Sequence, residues 1–188
     1  MNAKGIELLR NPHPCGHIVY PYTDSTHIVD AVGLFASAGI ENDEAVVIIA
    51  TDPHCKLIQE RLERDGFDLN RLRRTHQLIF RQAEDVLATF MARGMPDEEL
   101  FKKNVAEILR QARTGSSDGQ PRKVRLFGEM VSLLWRVDPA AAVRLEELWN
   151  EVIDYHVVSV LCTYTLDGDA YAQLPDSLIT PHKHLLAS

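Results

Sequence analysis

The segment Glu44–Ala50 (EAVVIIA) constrains the fold more than any other. Ala45–Ala50 is an unbroken apolar run, rich in β-branched residues and too short for an ordinary helix. A strand that is apolar on both faces belongs in the middle of a parallel sheet covered by helices on each side. Parallel strands cannot be joined by tight turns, so helical crossovers must separate them. The rest of the chain supplies them. Further strands are read at His17–Tyr22 (HIVYPY), Gln77–Phe80, Lys123–Phe127 (KVRLF) and Val157–Tyr164 (VVSVLCTY).

Helical patterns fill the intervals. Asp24 or Ser25 caps a helix that carries Ile28, Val32 and Phe35 on one stripe and is expected to stop at Gly39. Thr51-Asp52-Pro53 starts another, with Leu57, Ile58 and Leu62 as its apolar stripe and Gly66 after its end. Ala83–Ala92 and Asp97–Ala112 read as two helices parted by Gly94-Met95-Pro96, the second with Leu100, Phe101, Val105, Ile108 and Leu109 on one face. Thr114–Pro121 is a surface loop. Met130–Val137 begins a helix, broken at Asp138-Pro139, where another runs to about Tyr155. Asp167-Gly168 is a turn, and the tail from Tyr171 to Leu186 is expected to be helical with a break at Pro175. The expected architecture is a three-layer α/β fold, with a mostly parallel sheet of about five core strands and helices on both faces.

A chain of 188 residues suits a single domain. At this size about 70% of the unfolded surface can be buried, so no disulfide or metal staple is required. The net charge of −7 argues against general nucleic-acid binding. The apolar runs fall short of the roughly 20 residues a membrane span needs, and Met1–Arg10 has no signal-peptide core. Three separated cysteines, Cys15, Cys55 and Cys162, form no CxxC pair and fit reduced thiols. A cytoplasmic protein is expected.

In doubly wound sheets, ligands bind beyond the carboxyl ends of the strands. That rule selects Tyr20–Thr23, Thr51–His54, Arg81–Gln82, Gly128–Glu129 and Thr163–Tyr164. The first exit, Pro21 to Thr26, has neither the glycines nor the lysine of a phosphate loop, and Asp24 would repel phosphate there. Glu129, after the fourth strand, could anchor a ligand, hold a cation or accept a proton; a dipole-favoured glutamate at a helix start is the plainer reading. Strand alternation puts Cys162 and Tyr164 on one face and Thr163 on the other. No base is legible beside Cys162, which reads as a buried structural thiol compatible with lining a pocket.

Of eight histidines, only His182 and His184 are a close pair, and on a helix they would face different ways. HExxH is absent. No metal and no cofactor are expected. His17, at the start of the first strand, reads first as a core histidine and second as a ligand contact, and His156 suits a helix end. Arg61, Arg64, Arg71, Arg73 and Arg74 are either a surface for an acidic partner or a solvated face balanced by Glu60, Glu63, Asp65 and Asp68. Trp135 and Trp149 fall on apolar helical stripes and suit packing.

Several motifs occur together in a telling order. They are His17-Ile18-Val19-Tyr20; Phe35 to Ala38-Gly39-Ile40 with Glu44-Ala45-Val46-Val47; Leu57, Leu62 and Gly66; Arg125 with Phe127-Gly128-Glu129-Met130; Leu145-Glu146 with Trp149-Asn150; Leu161-Cys162-Thr163-Tyr164; and a late His182. Over about residues 13–186 the chain resembles the MEDS domain, a sensory domain named for methanogens, methylotrophs and the regulator DcmR. The resemblance implies a fold like that of RecA/KaiC-type P-loop NTPases without a working phosphate loop. It also implies a sensing role, with small hydrocarbon derivatives as one ligand class. Such domains occur fused to histidine kinases or DNA-binding modules. Neither is read here, so the expected output is a separate partner, a histidine kinase or transcriptional regulator, or a homo-oligomer.

The leading expectation is thus a non-catalytic sensor that binds a small molecule near Tyr20, Thr51, Glu129 and Tyr164, with Cys162 and His17 as further contacts. The alternatives are a divergent nucleotide-binding enzyme using Glu129 as general base, and a pure protein-interaction module pairing through Pro139–Tyr155 or Asp97–Ala112.

Overall fold

The structure is a computed structural model that describes residues 1–22, 24–116, 119–165 and 184–185. The elements run α1 (Ala3–Arg10), β1 (His17–Tyr22), α2 (Ser25–Glu41), β2 (Ala45–Ala50), α3 (Asp52–Arg64), α4 (Leu69–Arg74), β3 (Leu78–Gln82) and α5 (Ala83–Ala88). They continue as β4 (Met91–Ala92), β5 (Met95–Pro96), α6 (Glu98–Ala112), β6 (Val124–Gly128), α7 (Met130–Trp135), α8 (Pro139–His156), β7 (Val158–Thr165) and β8 (His184–Leu185).

The main sheet has the order β3-β2-β6-β7-β1-β8, and every pairing in it is parallel. The five expected strands form its core, and the short β8 adds an edge beside β1. The unbroken apolar run behaves as expected: β2 lies between β3 and β6 and is buried at every residue. Its odd and even positions feed different cores. Val46, Ile48 and Ala50 pack with Phe35, Ile58, Leu62 and Leu72 from α2–α4. Ala45, Val47 and Ile49 pack with Phe90, Phe101, Leu145 and Trp149 on the side of α5–α8. The three-layer reading is correct.

Several expectations need correction. α2 does not stop at Gly39 but runs to Glu41. Gly39 is a packing residue: a Cβ there would lie 2.9 Å from Arg125 Cδ and from Val46 Cγ2. The expected helix Ala83–Ala92 ends at Ala88, and the β4–β5 hairpin follows. Its two-residue turn, Arg93-Gly94, has positive φ at both positions (52° and 85°), the geometry that suits the twist of a tight hairpin. Leu57 and Leu100, assigned to apolar stripes, are 40% and 44% exposed, because each helix buries a narrower arc than its apolar spacing suggests. Helices α1 and α4 were not foreseen; Asn2 and Asp68 cap them by accepting the Gly5 and Arg71 N–H groups. The expected turn at Asp167 and most of the expected tail helix lie outside the described residues. The two described tail positions, His184 and Leu185, are strand and not helix, since they pair with β1.

α1 is held by a buried cation. The Arg125 guanidinium, on β6, donates to Leu9 O (3.0 Å), Arg10 O (3.0 Å) and Phe35 O (3.2 Å), and pairs with Glu44. The last carbonyls of a helix lack partners within it and carry partial negative charge, so a guanidinium is well suited to close its end.

Candidate functional site

Helix α3 follows β2 into the first helical layer, whereas α7 follows β6 into the second. Adjacent parallel strands whose connections leave to opposite faces open a crevice at their carboxyl ends. Here that crevice lies between β2 and β6, where Ile49 and Gly128 are in register and Glu129 N donates to Ile49 O at 2.9 Å.

Glu129 is the hub of this edge. Its side chain is 5% exposed. Thr51 donates twice to Oε2, from its backbone N–H (2.9 Å) and its hydroxyl (3.1 Å). His54 Nδ1 lies 2.5 Å from Oε1, and the Tyr22 hydroxyl donates to the same oxygen at 3.3 Å. Thr165 Oγ1 then donates to the Tyr22 oxygen (2.9 Å) and lies 3.2 Å from Ser132 Oγ, which accepts the Thr165 N–H (3.1 Å). The network joins the ends of β1, β2, β6 and β7 to the starts of α3 and α7.

Local sequence explains the geometry. Thr51 occupies the cap position of α3 but makes no side-chain cap bond, because its hydroxyl is turned to Glu129. His54 is the third residue of that helix, the position whose side chain reaches back toward the cap. Burial acts to raise the Glu129 carboxyl, but the bonds from His54 and Thr51 overcome it, so the group sits below its ordinary 4.5. Burial pushes the Tyr22 hydroxyl up to about 12. A carboxylate has about four acceptor positions, and four donors meet this one. Glu129 therefore acts first as an anchor, with little capacity left to take a proton from a substrate.

The six residues singled out from the sequence do not form one group. Thr51 and Glu129 meet at the crevice. Tyr20 lies on the α2–α4 side of the sheet, 3% exposed. His17, Cys162 and Tyr164 lie on the α8 side, fully buried. There His17 Nε2 is 3.1 Å from Glu146 Oε2 and 3.4 Å from Cys162 Sγ, while His17 Nδ1 is 2.9 Å from Asn150 Oδ1. The Tyr164 hydroxyl donates to Glu146 Oε1. Burial, with the Glu146 charge beside it, pushes the Cys162 thiol well up. The strand-exit segments contain Tyr22 and His54 and the family motif contains Glu146 and Asn150, without any of the four being singled out as a site residue; Thr165 and Ser132 at the crevice were missed. The alternation of Tyr20 and Tyr22, and the helix position of His54, were the available signals.

The phosphate position is also accounted for. The Asp24 side chain caps α2 by accepting the Thr26 N–H at 2.6 Å, so a carboxylate already occupies that helix start. At the other end of the sheet a cavity of about 540 Å³ opens among Asn11, Glu44, Lys123, Arg122 and Ser159. Arg122, one of two buried arginines lining it, is committed to the carbonyls of Thr75, Thr114 and Gly115. Among the described residues, no helix is long and apolar enough to cross a membrane.

No curated protein matches the chain. The sequence model of the MEDS family, the MEthanogen/methylotroph, DcmR Sensory domain, matches residues 16–179. That span takes in every strand from β1 to β7 and both polar clusters, and the chain belongs to the MEDS family of sensory domains.

Proposed function

We propose that this domain is a non-catalytic sensor that binds a small organic molecule at the β2/β6 crevice and signals through a partner protein. The observation that supports it is the saturation of Glu129: a buried carboxylate at the topological switch point, spent on holding four elements together. Such a knot has two discrete states, closed on itself or opened by a competing ligand. A ligand shifts their balance only as far as it prefers one of them. His54 is the member to move, because its side chain is 12% exposed and sits on the first turn of α3. Its displacement would carry α3 against α2, where Arg61 pairs with Asp30. A partner such as a histidine kinase or a transcriptional regulator would read that surface.

The test is a thermal-shift comparison of two panels, nucleotides with magnesium and small apolar or halogenated compounds. A ligand at a hundred times its dissociation constant should raise Tm by about 5–10 °C in a chain of this length. The organic panel is expected to supply it. His54→Ala should then weaken that ligand by about tenfold or more, and Lys123→Ala, at the opposite cavity, should leave it unchanged. The reverse pattern would move the site to the amino ends of the strands. A shift with nucleotide alone, and phosphate release lost in Glu129→Gln, would replace the sensor by the enzyme reading.

A further inference from the structure

Among the described residues, one set of three metal-ligating side chains converges: His17 on β1, Glu146 on α8 and Cys162 on β7, with donor atoms all within 4.8 Å of one another. We infer that these three residues form a metal site for a borderline divalent cation, zinc being the best fit, distinct from the crevice at Glu129.

Distance supports it first. In a tetrahedral zinc site, bond lengths of about 2.0 Å to nitrogen and oxygen and 2.3 Å to sulfur put N and O about 3.3 Å apart and N and S about 3.5 Å apart. The observed separations are 3.1 Å for His17 Nε2 to Glu146 Oε2 and 3.4 Å for His17 Nε2 to Cys162 Sγ. An ion fits between these donors with shifts of a few tenths of an ångström.

The surrounding groups support it next. Metal-bound histidines commonly use their second nitrogen to donate to an oxygen that fixes the ring. His17 Nδ1 has Asn150 Oδ1 at 2.9 Å for this purpose. The second oxygen of Glu146 is held by the Tyr164 hydroxyl. Both ligands are thus oriented by partners that lie outside the donor set.

Charge completes the case. A thiolate, a carboxylate and a neutral imidazole around a divalent ion sum to zero, which suits a site where all three residues are fully buried. Loading would release the Cys162 thiol proton to solvent, since the thiolate is the ligand form. Imidazole with thiolate selects zinc or cobalt over magnesium or calcium, which prefer oxygen. Three protein donors leave a coordination position open. Sequence spacing could not show this set, because His17 and Cys162 are 145 residues apart.

The experiment uses the full chain expressed in medium supplemented with zinc or, separately, cobalt, so that a buried site can load during folding. One equivalent of metal is expected. The cobalt form should show a thiolate-to-cobalt charge-transfer band that persists in a Cys15→Ser, Cys55→Ser double variant and disappears in Cys162→Ser. Chelator treatment should lower Tm by about 5–10 °C. X-ray absorption of the wild-type zinc form guards against variants that fail to fold, and should show one sulfur at about 2.3 Å with nitrogen and oxygen at about 2.0 Å. Metal-free protein from both media, or a coordination shell without sulfur, would overturn the proposal and leave a hydrogen-bonded His17–Glu146 pair.

Discussion

A glutamate that is 3% exposed and still sits below its ordinary pKa must be held by its neighbours. Glu129→Gln keeps the shape but removes the charge that strengthens the bonds from Thr51 and His54. Hydrogen bonds to charged groups contribute about 1.5–3 kcal/mol, so urea unfolding at pH 7 should show a loss of about that size. The pH dependence has a fixed sign. Because the folded-state pKa is depressed, the contribution is complete above about 4.5, the unfolded value, and is lost as pH falls through the lower folded value. Wild type should therefore lose stability below that point faster than Glu129→Gln, and converging unfolding curves at acid pH would check this. Glu129 itself was legible in the sequence from the strand-exit rule. The same rule marked the segments that hold His54 and Tyr22 but not their bonds to Glu129, since one comes from the start of α3 and the other from the end of β1 and only the strand order brings them together. Gly39 teaches the same lesson in reverse. Read locally it is a helix terminator; in the structure it is the gap through which Arg125 passes. Gly39→Ala should cost about 1–3 kcal/mol by overpacking against Arg125 and Val46, in spite of alanine's better helix propensity. A stabilised Gly39→Ala protein in urea unfolding would show that Arg125 can yield.

At the scale of elements, strand positions were the most legible because fully apolar β-rich runs carry little ambiguity here, and the observed β2 is the expected one less a single residue. Helix ends were less so. The apolar pattern continues through Phe90 into Met91, but the positive-φ pair Arg93-Gly94 turns the chain back as a hairpin. α1 was invisible because its sequence offers little burial of its own; Leu9 and Gly5 are its buried positions. What docks it is a side chain from β6. Arg125→Met should therefore act mainly on α1. The substitution leaves the half-buried Glu44 without its cation and strips the carbonyls of Leu9 and Arg10 of a charged donor, each such bond contributing about 1.5–3 kcal/mol. Hydrogen exchange should show amide protection falling first in α1, ahead of β2 or β6. Uniform loss across the molecule would mean that Arg125 supports the sheet and not the helix.

At the scale of the whole molecule, one sheet separates two apolar cores, and β1, β2, β3, β6 and β7 each serve both. The three-layer architecture followed from the alternation of strands and helices, but the order β3-β2-β6-β7-β1-β8 did not, because each strand's choice of neighbour depends on crossover paths that leave no local signal. The sheet joins β1 to β7, strands separated by more of the chain than any other pair among β1, β2, β3, β6 and β7. Neither core can be completed until that pairing forms, so the two should unfold as one unit. Trp149 is fully buried in the α8 core, while Phe35 is fully buried in the α2–α4 core. Tryptophan fluorescence reports the α5–α8 layer and far-ultraviolet circular dichroism reports both, so their urea midpoints should coincide. Phe35→Leu and Trp149→Phe should each cost on the order of 1–2 kcal/mol, and the double variant should sum them within about 0.5 kcal/mol, because the sites share no contacts across the sheet. A fluorescence midpoint displaced from the dichroism midpoint would mean that the layers come apart separately. Such a protein could loosen one face while keeping the other, and the signal from the crevice would then travel by partial unfolding of a layer instead of by movement of α3.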